Sequence, residues 1–291
     1  MSDPPRPTEV FIVNVWQDNL EEQFSEIRKA VKDYPLIAMD TEFPGVPFKP
    51  PIVELYNKTI QEQMYKLVVC NVDRLKVIQV GFAMMNHLGE LPGNRVWQFN
   101  LHFDLETDNY AKASIDLLRS CDIDFSHHKE SGIRMCDFGS YLTTSGLVCS
   151  EKVTWITYHS SYDFAYVVRT IILKPLPLQS VEFVILVREL FPISYDVKVL
   201  AEWCAFDRRI VDARMSGLQT MAAIMDVPRY GAQHQAGSDA LLTGQTFLAI
   251  KSRCMRVGEG HLEWEGIEQE SVNNLFGFTK IPPIYQSFLY L

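Results

Sequence analysis

Apolar positions along this chain follow two rhythms. Leu36-Ile37-Ala38-Met39 is an unbroken apolar run closed by Pro44-Gly45, which predicts a buried strand running out through Asp40-Thr41-Glu42. Leu75 to Met85 is a second β-rich run, and Val96 to Leu101 alternates like its neighbour. The stretch between them, Asn86 to Asn94, holds Gly89, Pro92 and Gly93 and has the composition of a hairpin loop. Three consecutive strands in one sheet follow. Val153 to His159 is a further strand rich in β-branched and aromatic residues. Val10 to Trp16 predicts a short edge strand, and Tyr195 to Val197 another short strand.

Elsewhere the spacing is three or four. Leu20, Phe24, Ile27 and Val31 predict a helix over Asn19 to Val31, with Asn19 placed to cap it. Helices are also expected over Tyr110–Ser120, Asp137–Ser145, Tyr162–Leu173, Leu218–Met225 and Ser238–Ile250. Val181 to Phe191 is mostly apolar and reads as a buried helix. Pro44, Pro47, Pro50 and Pro51 force an irregular loop that leads into a polar stretch around Gln61–Lys66. No repeat or linker-like break interrupts Pro35 to Ile250. The expectation is one domain over 10–257, a proline-rich arm before it (1–9) and a C-terminal extension (258–291) packed on or near it. Strands in a run, then strands alternating with helices, give a mixed α/β sheet flanked by helices.

Composition narrows this only a little. The 291 residues are 47% hydrophobic and 22% charged, an ordinary globular balance. No run approaches the roughly 18 apolar residues of a membrane span, and Met1 to Pro7 does not read as a signal peptide. The six cysteines are scattered without a C-x-x-C pair, as expected of reduced thiols in a cytoplasmic, or also nuclear, protein. A net charge of −9 argues against coating nucleic acid through a broad basic surface. It leaves open an enzyme that reaches phosphates through metal ions.

Candidate chemistry begins at Asp40 and Glu42. A strand has a side-chain period of two, so both carboxylates share a face, where a hard divalent cation would relieve their repulsion. Taken alone, D-x-E is common, and a turn cap plus a solvated glutamate is its more ordinary reading. Asp163 lies just after the Val153–His159 strand, and Asp239 at the start of the Ser238–Ile250 helix. An aspartate in a first helical turn is favourable for electrostatic reasons alone. His234, five residues before Asp239 on a Gln-Ala-Gly loop, is placed to approach a site built from Asp239. His87, His102, His127, His128 and His261 have no metal-ligand spacing, and His159 ends a strand.

D-x-E, a later aspartate and H-x4-D, in this order, resemble the signature of DEDD-type 3′→5′ exonucleases of the subgroup with a catalytic histidine. Within that superfamily DTEFPGV, WQFN, HSSYDFAY and HQAGSDALLTG are similar to the CAF/POP-type deadenylases of the Ccr–Not messenger-RNA decay complex. The resemblance implies an RNase H-like fold, Asp40, Glu42, Asp163 and Asp239 as ligands of two Mg²⁺ or Mn²⁺ ions, and His234 as general base. It implies poly(A) RNA as substrate, 5′-AMP as product, and a scaffold subunit and a second deadenylase as partners. The chemistry is coherent on its own terms. Phosphodiester hydrolysis needs an activated water and a stabilised leaving oxygen, carboxylates suit hard cations, and an imidazole titrating near ~6.5 can take a proton.

The chain departs from the pattern at Ser161 and Ala165, where glycines are usual, in a longer and more charged segment over 205–215, and in the proline-rich loop after Gly45. None of these removes a candidate ligand. Phe43 is placed either to stack on a terminal base or to fill the core at the strand end. Two other readings stand beside the deadenylase: a DEDD exonuclease acting on other RNA or DNA ends, and a nuclease fold kept as an adaptor in a decay complex.

Overall fold

The structure, a computed structural model, describes residues 9–203, 210, 216–256, 269 and 271–275. Its centre is a six-stranded sheet of β1 (Phe11–Val15), β2 (Leu36–Glu42), β3 (Gln79–Met85), β4 (Arg95–Asn100), β5 (Thr154–Thr157) and β6 (Ile193–Asp196). The spatial order is β1-β4-β3-β2-β5-β6. β3 runs antiparallel to both neighbours, whereas β1–β4, β2–β5 and β5–β6 are parallel pairs. β1 is therefore an edge strand, and β2, β3 and β4 lie side by side, as expected from their patterns.

Strand alternation divides the core in two. Ile37 and Met39 of β2 face a layer formed by α1 (Leu20–Ala30), α3 (Ile60–Val72), α6 (Met135–Thr143), α7 (Ser161–Ile172) and α8 (Ser180–Leu190). Leu36 and Ala38 face the other layer, made of α9 (Val197–Trp203), α10 (Leu218–Ile224) and the long α11 (Ala236–Arg256). Three further helices, α2 (Ile52–Leu55), α4 (Lys112–Ser120) and α5 (Phe125–Ser131), lie outside these stacks. α11 lies close against the sheet because two glycines permit it. A Cβ on Gly81 would run into the Ala236 carbonyl, and one on Gly244 into the Met85 side chain.

Several expectations change. Gln61–Lys66 belongs to α3, whose outer face is polar while Tyr65, Val68 and Val72 are buried. Thr59 starts that helix with a reciprocal capping box: its hydroxyl accepts the Glu62 N–H at 3.2 Å, and Glu62 accepts the Thr59 N–H at 2.8 Å. α8, expected as a buried helix, is buried on one face only. Phe183, Val187 and Leu190 face the core, but Val181 and Ile185 are over half exposed. Asn19 occupies the N-cap position of α1 yet uses its side-chain oxygen to accept the Trp16 N–H at 2.8 Å. Strand β5 stops at Thr157, because His159 turns into the left-handed region at φ 62°.

The five described cysteines are free thiols. Among the described residues no helix is long and apolar enough to cross a membrane. Asn273 joins the fold through its side-chain oxygen, which accepts the Ser194 N–H at 3.0 Å, and Leu275 is buried. The proline-rich arm, apart from Glu9, lies outside the described residues. So do the 205–215 segment except Ile210 and the tail beyond Leu275.

Candidate active site

Three parallel strands end at one edge of the sheet. The C-terminal end of β2 carries Asp40, Thr41 and Glu42, β5 leads into His159–Asp163, and β6 ends at Asp196 followed by Lys198. Open sheets with this geometry place ligands in the crevice beyond the strand ends. Here a cleft of 440 Å³ is lined by Asp40, Phe43, Tyr158, His159, Asp163 and Lys198, among others.

The carboxylates reach this edge from both layers. Asp40 and Glu42 share the parity of Leu36 and Ala38, and so face the α11 side. Asp163 sits in the first turn of α7, in the opposite layer, and only 7% of it is exposed. Thr41, pointing to the α7 side, donates its hydroxyl hydrogen bond to Asp163 Oδ1 at 2.7 Å. Asp239 enters from the first turn of α11 at 6% exposure. Ligand atoms of Glu42, His234 and Asp239 all lie within 4.8 Å of one another. The His234 N–H also donates to Asp239 Oδ2 at 3.0 Å, with His234 itself at φ 59°.

Packing these anions together raises the cost of charging them. Burial, and then the Asp239, Asp163 and Glu42 charges, hold the Asp40 carboxyl well above the usual range. Glu42 is pushed up to about 8 by burial and by Asp239 and Asp163. Asp163 rises to about 7, mainly through burial, against the opposing hydrogen bond from Thr41. Arg229 supplies one positive charge, pairing with Asp239 Oδ1 at 2.5 Å and donating to Ser238 Oγ at 3.0 Å.

Two supports hold the ligand-bearing turns. Asp196 accepts the N–H groups of His159 (2.9 Å), Ser160 (2.9 Å) and Lys198 (3.0 Å) and the Ser160 hydroxyl (2.8 Å), which ties the β5–α7 turn to β6. The second is an amide network on the sheet face under α11. Gln79 Oε1 accepts the Ala236 N–H at 3.2 Å, and Gln98 Oε1 the Gly237 N–H at 3.0 Å. Gln79 and Gln98 also donate to Gln235 Oε1 (3.3 and 2.7 Å), and Gln98 to Asn14 Oδ1 (3.0 Å). These amides satisfy helix-start N–H groups that no intrahelical carbonyl can reach.

The structure thus brings Asp40, Glu42, Asp163, His234 and Asp239 to one place. Phe43 lies at the cleft margin, stacked on Tyr162 with ring centroids 5.0 Å apart and packed against Tyr166. His128 is buried, its Nδ1 2.7 Å from the Leu101 carbonyl oxygen, and burial pushes its pKa down to about 4. The His159 backbone N–H donates to Asp196. Spacing did not point to Thr41, Gln79, Gln98, Asp196, Lys198 or Arg229. Thr41 and Gln98 stand inside the quoted words DTEFPGV and WQFN, and Asp196 closes a short strand, but nothing marked Gln79, Lys198 or Arg229.

The donor set fits hard divalent cations: four carboxylates and an imidazole, with the carboxyls driven up by burial and by one another. The profile of the CAF1 family ribonuclease matches residues 15–145 and 137–247. The Caenorhabditis elegans protein named CCR4-NOT transcription complex subunit 7 is 45% identical over 96% of this chain and 87% of its own length. Schizosaccharomyces pombe poly(A) ribonuclease pop2 is 40% identical over 91% of this chain and 74% of its own. A structure of S. pombe Pop2p with Mg²⁺ and Mn²⁺ bound superposes with a TM-score of 0.81 at 39% identity, covering 91% of this chain and 99% of that one. Yeast CAF1, co-crystallised with the NOT1 MIF4G domain, gives a TM-score of 0.75 at 25% identity, covering 94% and 99% of the two chains. The sheet of mixed direction is thus that of the Pop2 ribonuclease domains, and the chain belongs to the CAF1 family of ribonucleases.

Proposed function

We propose that this ribonuclease removes poly(A) tails from the 3′ end, releasing 5′-AMP, with Asp40, Glu42, Asp163 and Asp239 as ligands of two Mg²⁺ or Mn²⁺ ions. The observation that carries the reading is the convergence of these four carboxylates and His234 on one sheet edge from two helical layers. The name of the S. pombe relative supports poly(A), and the Mg²⁺ and Mn²⁺ bound to Pop2p support the choice of metals. Bound here, the ions would lower the pKa of an attacking water and neutralise charge on the leaving 3′-oxygen.

The chain's own residues do the rest. His234 takes the proton of the water, held by its backbone bond to Asp239. Arg229 fixes one oxygen of Asp239, leaving the other beside the His234 backbone. Thr41 orients Asp163, and Asp196 holds the turn from which α7 starts. Phe43, backed by Tyr162, offers a ring edge to the terminal base. The protein works in the cytoplasm, and also in the nucleus, within a complex that includes a NOT1-type scaffold and a second deadenylase. The names of its relatives support the complex and the scaffold.

A 5′-labelled RNA ending in an A-tract tests this directly. The reading expects shortening from the 3′ end that needs Mg²⁺ or Mn²⁺, slows at the first non-adenine and disappears in Asp40→Ala. A folded protein inactive with both metals would put the adaptor reading in first place. Equal rates on all sequences would leave a general 3′ exonuclease.

A further inference from the structure

A cation stands in the cleft wall that the scheme above leaves without a task. Lys198 follows β6 and is only 7% exposed, yet it lines the same cleft as Asp40 and Asp163. Among the described residues it is the one lysine or arginine lining that cleft. Its Nζ lies 5.9 Å from the centre of the Tyr158 ring. Burial, and then the Lys198 charge, push the His159 imidazole down, so the ammonium is within electrostatic reach of that side chain. The Lys198 N–H is anchored on Asp196, the same carboxylate that holds the turn before Asp163. The residue is therefore fixed relative to the candidate metal ligands.

Position says what it faces. Glu42, His234 and Asp239 gather on the α11 side of β2, whereas Lys198 follows a strand two places away, across β5. At ordinary strand spacing that offset is about 10 Å, before the side chain reaches back. RNA carries a charge at every phosphodiester, and in a chain of net charge −9 the cleft acids would repel each one that is not met by a cation. The bond being cut lies at the carboxylates, so the neighbouring phosphate is the one within reach of the β6 side.

We propose that Lys198 is a substrate-binding residue whose ammonium pairs with a non-bridging oxygen of the phosphodiester adjacent to the scissile one, its stem steadied by the Tyr158 ring. This rests on reading the Asp40–Asp163 cleft as the place where RNA is cut. A phosphate contact is blind to base identity.

The test compares wild type, Lys198→Met and Lys198→Arg on an A-tract RNA and a mixed-sequence RNA, with KM, kcat, the salt dependence of kcat/KM and the Mn²⁺-induced thermal shift as readouts. Lys198→Met is expected to raise KM roughly tenfold on every RNA that wild type cuts. Its log–log salt slope should be shallower by about 0.7, the value for one phosphate on a single strand. Lys198→Arg should recover most of the KM loss, and the Mn²⁺ shift should be the same in all three. An unchanged KM, or a lost Mn²⁺ shift in Lys198→Met, would overturn the proposal and leave a structural role. Should Lys198→Met not fold, Lys198→Gln carries the same comparison. If wild type cuts both RNAs equally well, the adenine preference fails while the Lys198 comparison stays readable.

Discussion

Gln98, on β4 next to the edge strand β1, accepts the N–H of Gly237 at the start of α11 across a 3.0 Å hydrogen bond. That bond spans 139 residues of sequence and joins a strand to the helix that presents Asp239. Its partner Gln79 does the same for Ala236, so the helix start is held by two side chains of the sheet.

Gln98→Leu leaves the buried Gly237 N–H without that acceptor and costs about 1–3 kcal/mol of stability. Because α11 also carries Asp239 and is preceded by His234, activity should fall further than the fraction unfolded accounts for. Urea denaturation beside initial rates measures both. A stability loss with full specific activity would show that the amides hold the fold and not the site.

Gly81→Ala probes the same junction by bulk. The added methyl meets the Ala236 carbonyl, so helix or strand must move. A loss of about 1–3 kcal/mol is expected from overpacking, with a weaker response to Mn²⁺ because the Glu42–Asp239 spacing widens. Calorimetry with and without Mn²⁺ reads both effects.

The metal-free protein should become less stable as pH rises. Glu42 and Asp163 move from ordinary values of 4.5 and 3.8 up to about 8 and about 7 on folding. Between those limits the native state binds more protons than the unfolded chain, so stability falls with increasing pH. In EDTA, Tm should therefore decline from about pH 5 to about pH 8. Saturating Mn²⁺ should reverse the trend, since metal binding displaces those protons. A flat profile in EDTA would contradict the electrostatic account.

Asp40→Asn should raise the Tm of the metal-free protein, by roughly 2–4 °C for each kcal/mol of repulsion relieved. The same change should remove the Mn²⁺-induced shift and the activity. Scanning calorimetry at mildly alkaline pH checks the first, and the RNA assay the last. A destabilised metal-free Asp40→Asn would mean the carboxylate is held by attraction instead.

His234→Ala should lower kcat by about 10²–10⁴-fold, the usual contribution of a general base. The Mn²⁺ shift separates two roles that the geometry allows, because the ring lies within 4.8 Å of Glu42 and Asp239 ligand atoms. Retention of the shift identifies a base, whereas its loss identifies a metal ligand.

Local order was legible where one physical rule acts over a few residues. The apolar run at Leu36–Met39 and the period of two sufficed to place Asp40 and Glu42 on one face of a buried strand. Spacing of three or four located α1, α7 and the core of α11. At Val181–Phe191 the apolar run obscured an outward face, although Glu182, Arg188 and Glu189 mark it and within α8 only Phe183, Val187 and Leu190 are buried. Spacing also missed α3, whose outward polar residues mask a stripe of Tyr65, Val68 and Val72 that a Thr59–Glu62 capping box begins.

Which acids meet was a different matter. Asp163 and Asp239 each stand in the first turn of a helix, and that much the chain states by itself, as it states the order of the D-x-E, Asp and H-x4-D motifs. Only the tertiary structure decided that α7 and α11 pack on opposite faces of the sheet and start at the same edge, so that their aspartates close on β2 from two sides. The Arg229–Asp239 pair, the Asp196 clamp and the amides under α11 belong to that level too. Propensity and periodicity act through neighbours in sequence, whereas an electrostatic site depends on distances between groups far apart along the chain. Those distances are set by how closely Gly81 lets a helix approach a strand, and by which buried N–H finds which acceptor.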